Sequence, residues 1–410
     1  MRKDWLTALA SVGLAVLVSA SSAADAPRTN AGTPARPAAS QATVAVGVAE
    51  EAEEEGLEAQ AAAFEQCGDD CAAVGCNTCP GGDPLTLFPE TDWGLEVGGW
   101  LQAGYNNKTD GKFNNVPGKL NLHQGYLYAQ KAADGECGLD WGFRTDLMYG
   151  VDGYDAQAFG SNPGTWDYKN GFDHGIQAWA LPQVYAELAL HDVSVKLGHF
   201  YTPVGYEVVT SPDNFFYSHA FTMYNSEPFT HTGALATYGA TDKLTVYGGW
   251  TLGWDTGFDS YQGGNNFLGG FGYAITDDIS MTYITCIGDL GWRGQGYNHS
   301  LVFNVTLTEK LNYVFQTDYV GTDTATANDD VGTNQYLFYT INDCWKVGGR
   351  VEWWQRDGDS LWEATAGVNW IPHPNFVLRP EIKYNQGDAL AGLGLPEEST
   401  IFAIDGILTF

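Results

Sequence analysis

Hydrophobic and polar residues alternate along most of the chain from Trp93 to Phe410. In the first such segment, Leu95, Val97 and Leu101 fall on one face, whereas Glu96 and Gln102 fall on the other. A period of two residues is typical of a β-strand with one apolar and one polar face, because a helix would need apolar positions three and four apart. The same alternation returns at residues 141–149, 184–190, 301–307, 311–319, 345–353 and 376–384. The chain is therefore predicted to be all-β.

The connections between these segments are short and long in turn. Short, turn-like connections occur at 191–192, 239–242, 276–278, 308–310, 342–343 and 371–375, and long polar ones at 107–119, 150–180, 201–230, 255–264, 288–298, 321–333 and 387–399. Outer-membrane barrels show this rhythm because their periplasmic turns are short and their extracellular loops are long. We therefore predict a transmembrane antiparallel up-and-down β-barrel of about 16 strands (range about 14–18), with both ends on the periplasmic side. The connection at 356–360 is an exception, since it should be an outer loop and is short.

The last segment adds a more specific sign. Phe402, Ile404, Leu408 and Phe410 fall on one face, and the sequence ends at that phenylalanine. Outer-membrane barrels commonly end in such a strand, so the barrel assembly machinery is an expected partner that would recognise Phe410. Aromatic residues near strand ends are expected to form interfacial girdles in outer-membrane lipid, and they include Trp100, Tyr105, Trp141, Tyr149, Trp345, Trp370 and Tyr384.

The first residues indicate export. Arg2 and Lys3 precede an apolar stretch from Leu6 to Val18, and small residues follow up to Ala24. This pattern predicts a cleaved signal peptide over residues 1–24, because the apolar stretch is too short to span a membrane. Residues 25–92 are rich in Ala, Pro and acidic residues and are expected to form a disordered periplasmic linker, followed by the transmembrane barrel over residues 93–410.

The linker contains a cluster of cysteines. Cys67, Cys71, Cys76 and Cys79 lie close together in the sequence CGDDCAAVGCNTC. In an exported chain local disulfides are favoured over a metal, and the spacing matches no zinc pattern that we can name. These four cysteines are therefore disulfide candidates, with metal binding as the open alternative. No haem attachment is predicted, since Pro80 stands where the attachment motif needs His.

Composition and charge restrict the partners. Acidic residues outnumber basic ones by 50 to 19, for a formal net charge of −31. Nucleic acid is therefore an unfavourable partner, whereas small cations are favoured. Most of these carboxylates can also be explained as a soluble, acidic outer surface.

Several motifs resemble a known family. The segments Val195 to Glu207, Asp213 to Ser218, Glu227 to Tyr238 and Gly248 to Asp255 look like those of the OmpL-like outer-membrane β-barrel porin family. The resemblance covers roughly residues 93–410 and implies a porin in the bacterial outer membrane.

Residues on the polar faces of the strands are expected to line the pore. By parity, these pore-lining candidates are Arg144, Asp146, Glu187, Lys196, Arg350, Glu352, Arg379, Glu381 and Lys383. Arginines and carboxylates two residues apart could set a transverse field across the pore, or could form ion pairs that stiffen the wall. Both interpretations stay open.

The connection 201–230 follows the fifth predicted strand, and general porins fold the corresponding loop inward as a constriction. By analogy, Glu207, Asp213 and His219 are candidates for the narrowest point. The alternatives are an outward loop packed on its own aromatic residues, or an aromatic track that binds sugars.

The sequence gives little support for catalysis or cofactors. It has no G-x-S-x-G or H-E-x-x-H motif, and its eight histidines are scattered. Asp323, Asp329 and Asp330, and separately Asp255 and Asp259, lack the spacing of a known calcium loop and are expected to be solvated turns. We predict no enzyme activity, no cofactor and no metal site.

Passive diffusion of small hydrophilic solutes or ions, with a mild preference for cations, is the predicted function. The main alternative is a secreted β-sandwich that binds glycans. An outer-membrane enzyme lacks a candidate constellation, and a siderophore receptor would need a larger folded plug. The sequence leaves the solute and the choice between monomer and homotrimer open.

Overall fold

The computed structural model describes residues 80–89, 91–259, 261–323 and 329–410. The predicted signal peptide, most of the predicted linker and the four clustered cysteines lie outside these residues. The division of the chain at residues 24 and 92 therefore stays a prediction.

The described chain consists mainly of β-strands in one antiparallel sheet. The strands are β1 Glu96–Asn106, β2 Leu120–Lys131, β3 Asp140–Gly150, β4 Ala178–Ala180, β5 Val184–Leu190, β6 Val193–Tyr201, β7 Thr230–Thr241, β8 Leu244–Thr251, β9 Asn265–Thr276, β10 Ile279–Asp289, β11 Gln295–Thr308, β12 Leu311–Thr322, β13 Asp330–Asn342, β14 Trp345–Arg356, β15 Asp359–His373, β16 Phe376–Gly387 and β17 Glu398–Thr409. Three short helices lie in the connections: α1 Gly153–Ala156, α2 Phe221–Ser226 and α3 Ala389–Gly392. Single 3₁₀ turns occur at Ser211–Asp213, Tyr261–Gly263 and Gly291–Arg293.

The sheet closes on itself because β1 pairs with both β2 and β17. Strands β4 and β5 both pair with β3, so together they act as one strand interrupted at residues 181–183. The result is a closed antiparallel barrel of 16 strands, which confirms the predicted architecture. The alternative prediction of a β-sandwich is wrong, because the described strands form one sheet that closes on itself instead of two stacked sheets.

The two ends of the barrel differ as predicted. Short turns join β5 to β6, β7 to β8, β9 to β10, β11 to β12, β13 to β14 and β15 to β16, and the long connections lie at the other end. The turn between β2 and β3, residues 132–139, is longer than the rest of its set. The connection between β14 and β15 consists of Asp357 and Gly358 alone, which confirms that this outer loop is short, as the sequence indicated.

The two faces of the sheet have different chemistry. Large apolar side chains such as Leu101, Trp141, Leu188, Trp362 and Phe402 are exposed on the outer face, where they would meet lipid. At the end with short turns, the rings of Trp345 and Trp370 stack with centroids 5.9 Å apart, as expected for a girdle. Among the described residues, no helix is long and apolar enough to cross a membrane.

One predicted girdle residue was assigned incorrectly. Trp100 is 6% exposed and lies inside the barrel, where its ring stacks on Tyr126 with centroids 3.8 Å apart. Its Nε1 donates a hydrogen bond to Gln124 Oε1 (3.0 Å). A buried indole needs such a partner for its N–H group, and the polar inner wall supplies one.

Candidate functional site: the inner wall and the inward loop

The inner face of the barrel carries polar and charged side chains over much of its surface, whereas an apolar cluster that includes Leu235, Leu268 and Ile284 covers the inside of β7 to β10. In an antiparallel ladder, directly opposite residues point to the same side of the sheet. Tyr336, Arg350, Thr365, Lys383 and Ile401 form one such row across β13 to β17. The pairing therefore carries charged positions of neighbouring strands onto one inner surface.

The structure places all nine pore-lining candidates on this inner face. Glu187 and Lys196 are opposite each other on β5 and β6, and Arg144 and Asp146 pair on β3 with Nε and Oδ1 2.8 Å apart. Arg144, Glu187 and Lys196 are half-buried, whereas the other six are buried. Their role in lining an open pore stays a prediction.

The connection between β6 and β7, residues 202–229, enters the barrel and contacts the wall of β13 to β17; we call it the inward loop. Arg350 Nη1 donates hydrogen bonds to Glu207 Oε1 (2.6 Å) and to the carbonyl oxygen of Ser218 (2.8 Å). The same guanidinium group lies 3.0 Å from Glu363 Oε2 through its Nε. Arg350 thus joins a carboxylate of the loop to a carboxylate of the wall.

Two wall carboxylates receive backbone N–H groups of the loop. Glu352 accepts hydrogen bonds from the backbone N–H groups of Phe221 (2.7 Å) and Thr222 (2.5 Å), the first two residues of α2. Glu381 accepts hydrogen bonds from those of Tyr217 (2.9 Å) and Ser218 (3.1 Å). Residue Ala220 at the N-cap of α2 has no side-chain oxygen, so Glu352 satisfies N–H groups that the helix itself leaves open.

The start of the loop is attached to a different part of the wall. Arg379 Nη1 donates to the carbonyl oxygens of Ser211 (2.8 Å) and Asn214 (2.6 Å), while its Nε is 3.0 Å from Asp405 Oδ1. Ser211 Oγ donates to Gln102 Oε1 (2.6 Å) on β1. The loop therefore crosses the bore and is held on β1 as well as on β14 to β16.

A second connection, residues 107–119, packs onto the inward loop. Lys383 Nζ lies 2.8 Å from Asp110 Oδ2, and Lys112 Nζ lies 2.7 Å from the same oxygen. Lys112 also sits 3.1 Å from the ring centroid of Phe221. Burial lowers the pKa of Lys112 to about 7, and Asp110 acts against that change. Burial acts to raise the pKa of Asp110, but Lys112 and Lys383 hold it well below its usual range.

These loops fill the half of the bore that faces the long connections. Inward residues at this level on opposite walls, among them Asn106, Asn298, Asn334 and Glu352, are 0% exposed. Between Glu207, Phe216 and Tyr336 a gap of about 10 Å³ is left, enough for about one water molecule. The other half, towards the short turns, contains a cavity of about 460 Å³.

The three constriction candidates do not lie together. Glu207 and His219 are neighbours, with Glu207 Oε2 and His219 Nδ1 3.4 Å apart, and both are buried. Asp213 is exposed and borders the 460 Å³ cavity instead. A role of these residues at the narrowest point of the bore stays a prediction.

Sequence reasoning missed several charged residues at this site. Glu363, Asp405 and Lys346 have the same strand parity as the nine candidates and could have been found by extending the same argument. Asp110 and Lys112 belong to a long connection, and no local pattern indicates that it turns inward. Asp330, expected in a solvated turn, is the first residue of β13 and is bound by Arg293 (2.6 Å) and Arg356 (2.7 Å).

Three of the seven cysteines lie within the described residues. The disulfide candidates Cys67, Cys71, Cys76 and Cys79 lie outside the described residues. Cys344, in the turn between β13 and β14, is disulfide-bonded, which sequence reasoning did not anticipate. Cys137 and Cys286 are free. Within the described ranges, no group of three or more His, Cys, Asp or Glu residues is arranged to hold a metal ion.

A closed 16-strand barrel with an apolar outer face, a charged inner wall and a loop across the bore defines the porin class of outer-membrane proteins. The family model described as "Putative beta-barrel porin-2, OmpL-like" matches residues 94–410. The chain belongs to this family, as the sequence motifs predicted.

Solved porin structures have the same fold. A mutant of the Rh. blastica porin is 13% identical, with a TM-score of 0.54, over 77% of this chain and 100% of that chain. A triple mutant of the Rhodopseudomonas blastica porin gives 13% and 0.52 over the same shares. OmpT, an outer membrane protein of Vibrio cholerae in a trimer form, gives 11% and 0.50 over 77% and 99%. No curated protein sequence matches this chain.

Proposed function

We propose that the chain forms a passage across the outer membrane for small hydrophilic solutes and ions, with a mild preference for cations. The observation that carries the proposal is a single closed sheet with apolar residues outside and charged residues inside. Such a wall can bind water and ions, while its backbone groups are all paired within the sheet. The family and the fold are those of non-enzymatic channels.

The preference for cations is supported by the charge of the inner wall and of the chain. Besides the nine candidates, the inward strand positions carry more carboxylates than cations. The carboxylates include Glu96, Asp318, Asp330, Glu363 and Asp405, and the cations include Lys346 and Arg356. The whole chain carries a formal charge of −31. A negative potential raises the local concentration of cations and lowers that of anions.

The inward loop sets the size of the passage in this proposal. At its level inward residues of opposite walls are fully buried, and the gap beside Glu207 has room for about one water molecule. A larger conductance therefore requires the contacts between the loop and β14 to β16 to open. We expect a small conductance, with brief larger openings when the loop leaves the wall.

Planar-bilayer recording in a salt gradient tests the proposal. We expect discrete conductance steps and a reversal potential that corresponds to cation selectivity. Steps that arrive in groups of three would support a homotrimer. A protein that inserts without any conductance would contradict the passage, and a reversal potential of the opposite sign would contradict the cation preference and assign control to Arg350 and Arg379.

The proposal needs further partners that stay predictions. Outer-membrane lipid would surround the exposed apolar face, and the cleaved signal peptide would direct the chain there. Phe410 exchanges backbone hydrogen bonds with Gly99 of β1 (2.9 and 3.0 Å), so it is part of the closed sheet. Its recognition by the assembly machinery would be disproved if a chain lacking Phe410 reached the membrane in undiminished yield.

A further inference from the structure

The 460 Å³ cavity lies between the inward loop and the short turns of the barrel, and we call it the vestibule. The loop supplies its inner boundary through Tyr206, Asp213 and Phe215, while β12 to β17 supply the wall. Its volume falls within the range of about 300–1,000 Å³ that is typical of small-molecule sites. It borders Arg379, which holds the start of the loop, but not Arg350 or Glu352.

Aromatic rings form one side of the vestibule. Phe215 of the loop packs against Phe338 of β13 with ring centroids 4.8 Å apart, and the ring of Tyr206 lies 6.5 Å from that of Phe338 at an interplanar angle of 29°. All three rings, and Phe376 at the start of β16, are only half-buried. They therefore offer ring surface to a ligand, although they stand on the polar side of a membrane barrel.

A polar group without a hydrogen-bond partner stands beside these rings. Asn369 of β15 is 8% exposed, and its Oδ1 has no hydrogen-bond partner. A buried carbonyl oxygen that has lost water and found no donor costs about 1–3 kcal/mol. Lys346 is directly opposite Asn369 in the β14–β15 ladder and also borders the cavity. The wall thus places an amide group with a buried, unsatisfied oxygen next to a side chain with three donors.

The charges around the vestibule balance. Arg379 is neutralised by Asp405, with Nη2 and Oδ2 2.5 Å apart. Lys346 is then matched by the exposed carboxylate of Asp213 on the loop. A site with one cation and one anion at its edge gives no net attraction to a charged ligand, so its best ligand is neutral and rich in hydroxyl groups.

We propose that the vestibule binds a neutral mono- or disaccharide. A pyranose ring has an apolar C–H face, whose slightly positive hydrogens suit the negative face of an aromatic ring, and hydroxyl groups around its edge. The C–H face packs on Phe338 and Phe215. One hydroxyl bonds to the amide group of Asn369, and another accepts from Lys346 Nζ. This inference rests on the proposed function only in that the solute must reach the vestibule.

Calorimetric titration of the folded, full-length protein tests the proposal. The detergent is an amine oxide, because a sugar-headed detergent would compete for the site. Glucose, sucrose and maltose are the probes, and at least one gives a saturable heat. Asn369→Leu removes the amide at nearly constant volume and weakens that binding at least tenfold, about 1.4 kcal/mol. Thr282→Val, on the inner face of β10 outside the vestibule, leaves it unchanged.

The ionic strength of the titration separates a neutral ligand from a charged one. Affinity stays within about twofold between about 0.05 and 0.5 M KCl, since screening acts only on charges. Saturable binding of glutamate or lysine in place of the sugars would overturn the proposal in favour of a zwitterion site. Absence of heat for all three sugars, or an unchanged Asn369→Leu variant that keeps its folded barrel, would overturn it outright.

This binding measurement does not depend on conduction. If the protein conducts ions but binds no sugar, the proposed function stands and only the vestibule site is disproved. If the protein binds sugar but never conducts ions, the vestibule site stands and the passage is disproved.

Discussion

Arg350 decides between two interpretations of the charged residues on the inner wall. A transverse field across an open pore would require its charge to face water, yet Arg350 is 0% exposed. Its guanidinium group instead connects Glu207 of the loop with Glu363 of the wall. At this position the arginine acts mainly as an attachment between two parts of the chain, and it affects permeation through the loop that it holds.

Asp167 is a second residue whose surroundings have a consequence, this time for pH dependence. It lies in the long connection between β3 and β4 and is 3% exposed. Its carboxylate accepts hydrogen bonds from the backbone N–H groups of Ala158 (2.9 Å) and Leu181 (2.8 Å). Burial raises the pKa of Asp167 to about 7, although these two donors act in the opposite direction.

The raised pKa predicts that this connection loosens as the pH rises. The unfolded carboxyl has its ordinary pKa near 3.8, so the folded connection binds an additional proton between about pH 4 and 7. Its stability is complete below that window, falls by up to about 1.4 kcal/mol per pH unit across it, and levels off above about pH 7. Hydrogen exchange of residues 150–180, corrected for intrinsic rates, measures the change. Asp167→Asn should remove the pH dependence and the exposed Asp242→Asn should keep it; equal profiles for both variants would refute the assignment.

At the level of elements, the inward loop depends on contacts with the wall more than on its own structure. Its helix α2 has only six residues and no side-chain cap of its own. Gly205 has a φ of +90°, and an added Cβ would overlap the carboxylate of Glu227, so the turn into the barrel requires glycine. Without the wall carboxylates and Arg350, the loop has little to hold it in the bore.

Removing the attachment at Arg350 should open the passage. Arg350→Met leaves Glu207 and Glu363 buried without their partner, at a cost of about 3–5 kcal/mol, and so favours displacement of the loop. We expect a several-fold larger single-channel conductance in planar bilayers. Arg144→Met is the matched control, because Arg144 also pairs with a carboxylate on the inner wall but its contacts are with β2 and β3. The same conductance in both variants would show that the loop does not control the passage.

At the scale of the whole molecule, Cys344 indicates how the N-terminal region is connected to the barrel. Cys344 is disulfide-bonded, whereas Cys137 and Cys286 are free. The first described residues pack at the same end, where the backbone N–H of Gly81 donates to Pro372 O (3.0 Å) and that of Ile371 donates to Cys344 O (2.8 Å). The cysteines that precede Gly81 in the sequence are therefore the expected partners.

Peptide mapping without reduction should recover Cys344 linked to Cys67, Cys71, Cys76 or Cys79. In an exported protein such a bond persists and would fasten the N-terminal region to the turn between β13 and β14. Exposed Cys137 serves as the control, since it should be alkylated before reduction. Alkylation of Cys344 under the same conditions, or a bond to Cys137, would contradict the prediction.

The sequence predicted the strands well and the site only in part, for a physical reason. Alternation such as that of Leu95 to Gln102 is local, because the two faces of each strand meet different surroundings whatever its neighbours are. The inward loop is not local: Glu207 meets Arg350 across 143 positions of sequence. The periodicity of hydrophobic residues in either segment gives no information about that contact. For the same reason the sequence did not predict that residues 107–119 turn inward.

The closing of the barrel by its first and last strands has a consequence for biogenesis. Gln102 and Asp405, hydrogen-bonded across that seam, are 303 positions apart, so the seam stays open until the final strand has been made. Until then the sheet has two edge strands with unpaired backbone N–H and C=O groups, which are strongly unfavourable in hydrocarbon. A chain that is truncated before β17 cannot close the barrel and therefore cannot insert stably in the bilayer. Only a chain synthesised through β17 can become a stable membrane protein.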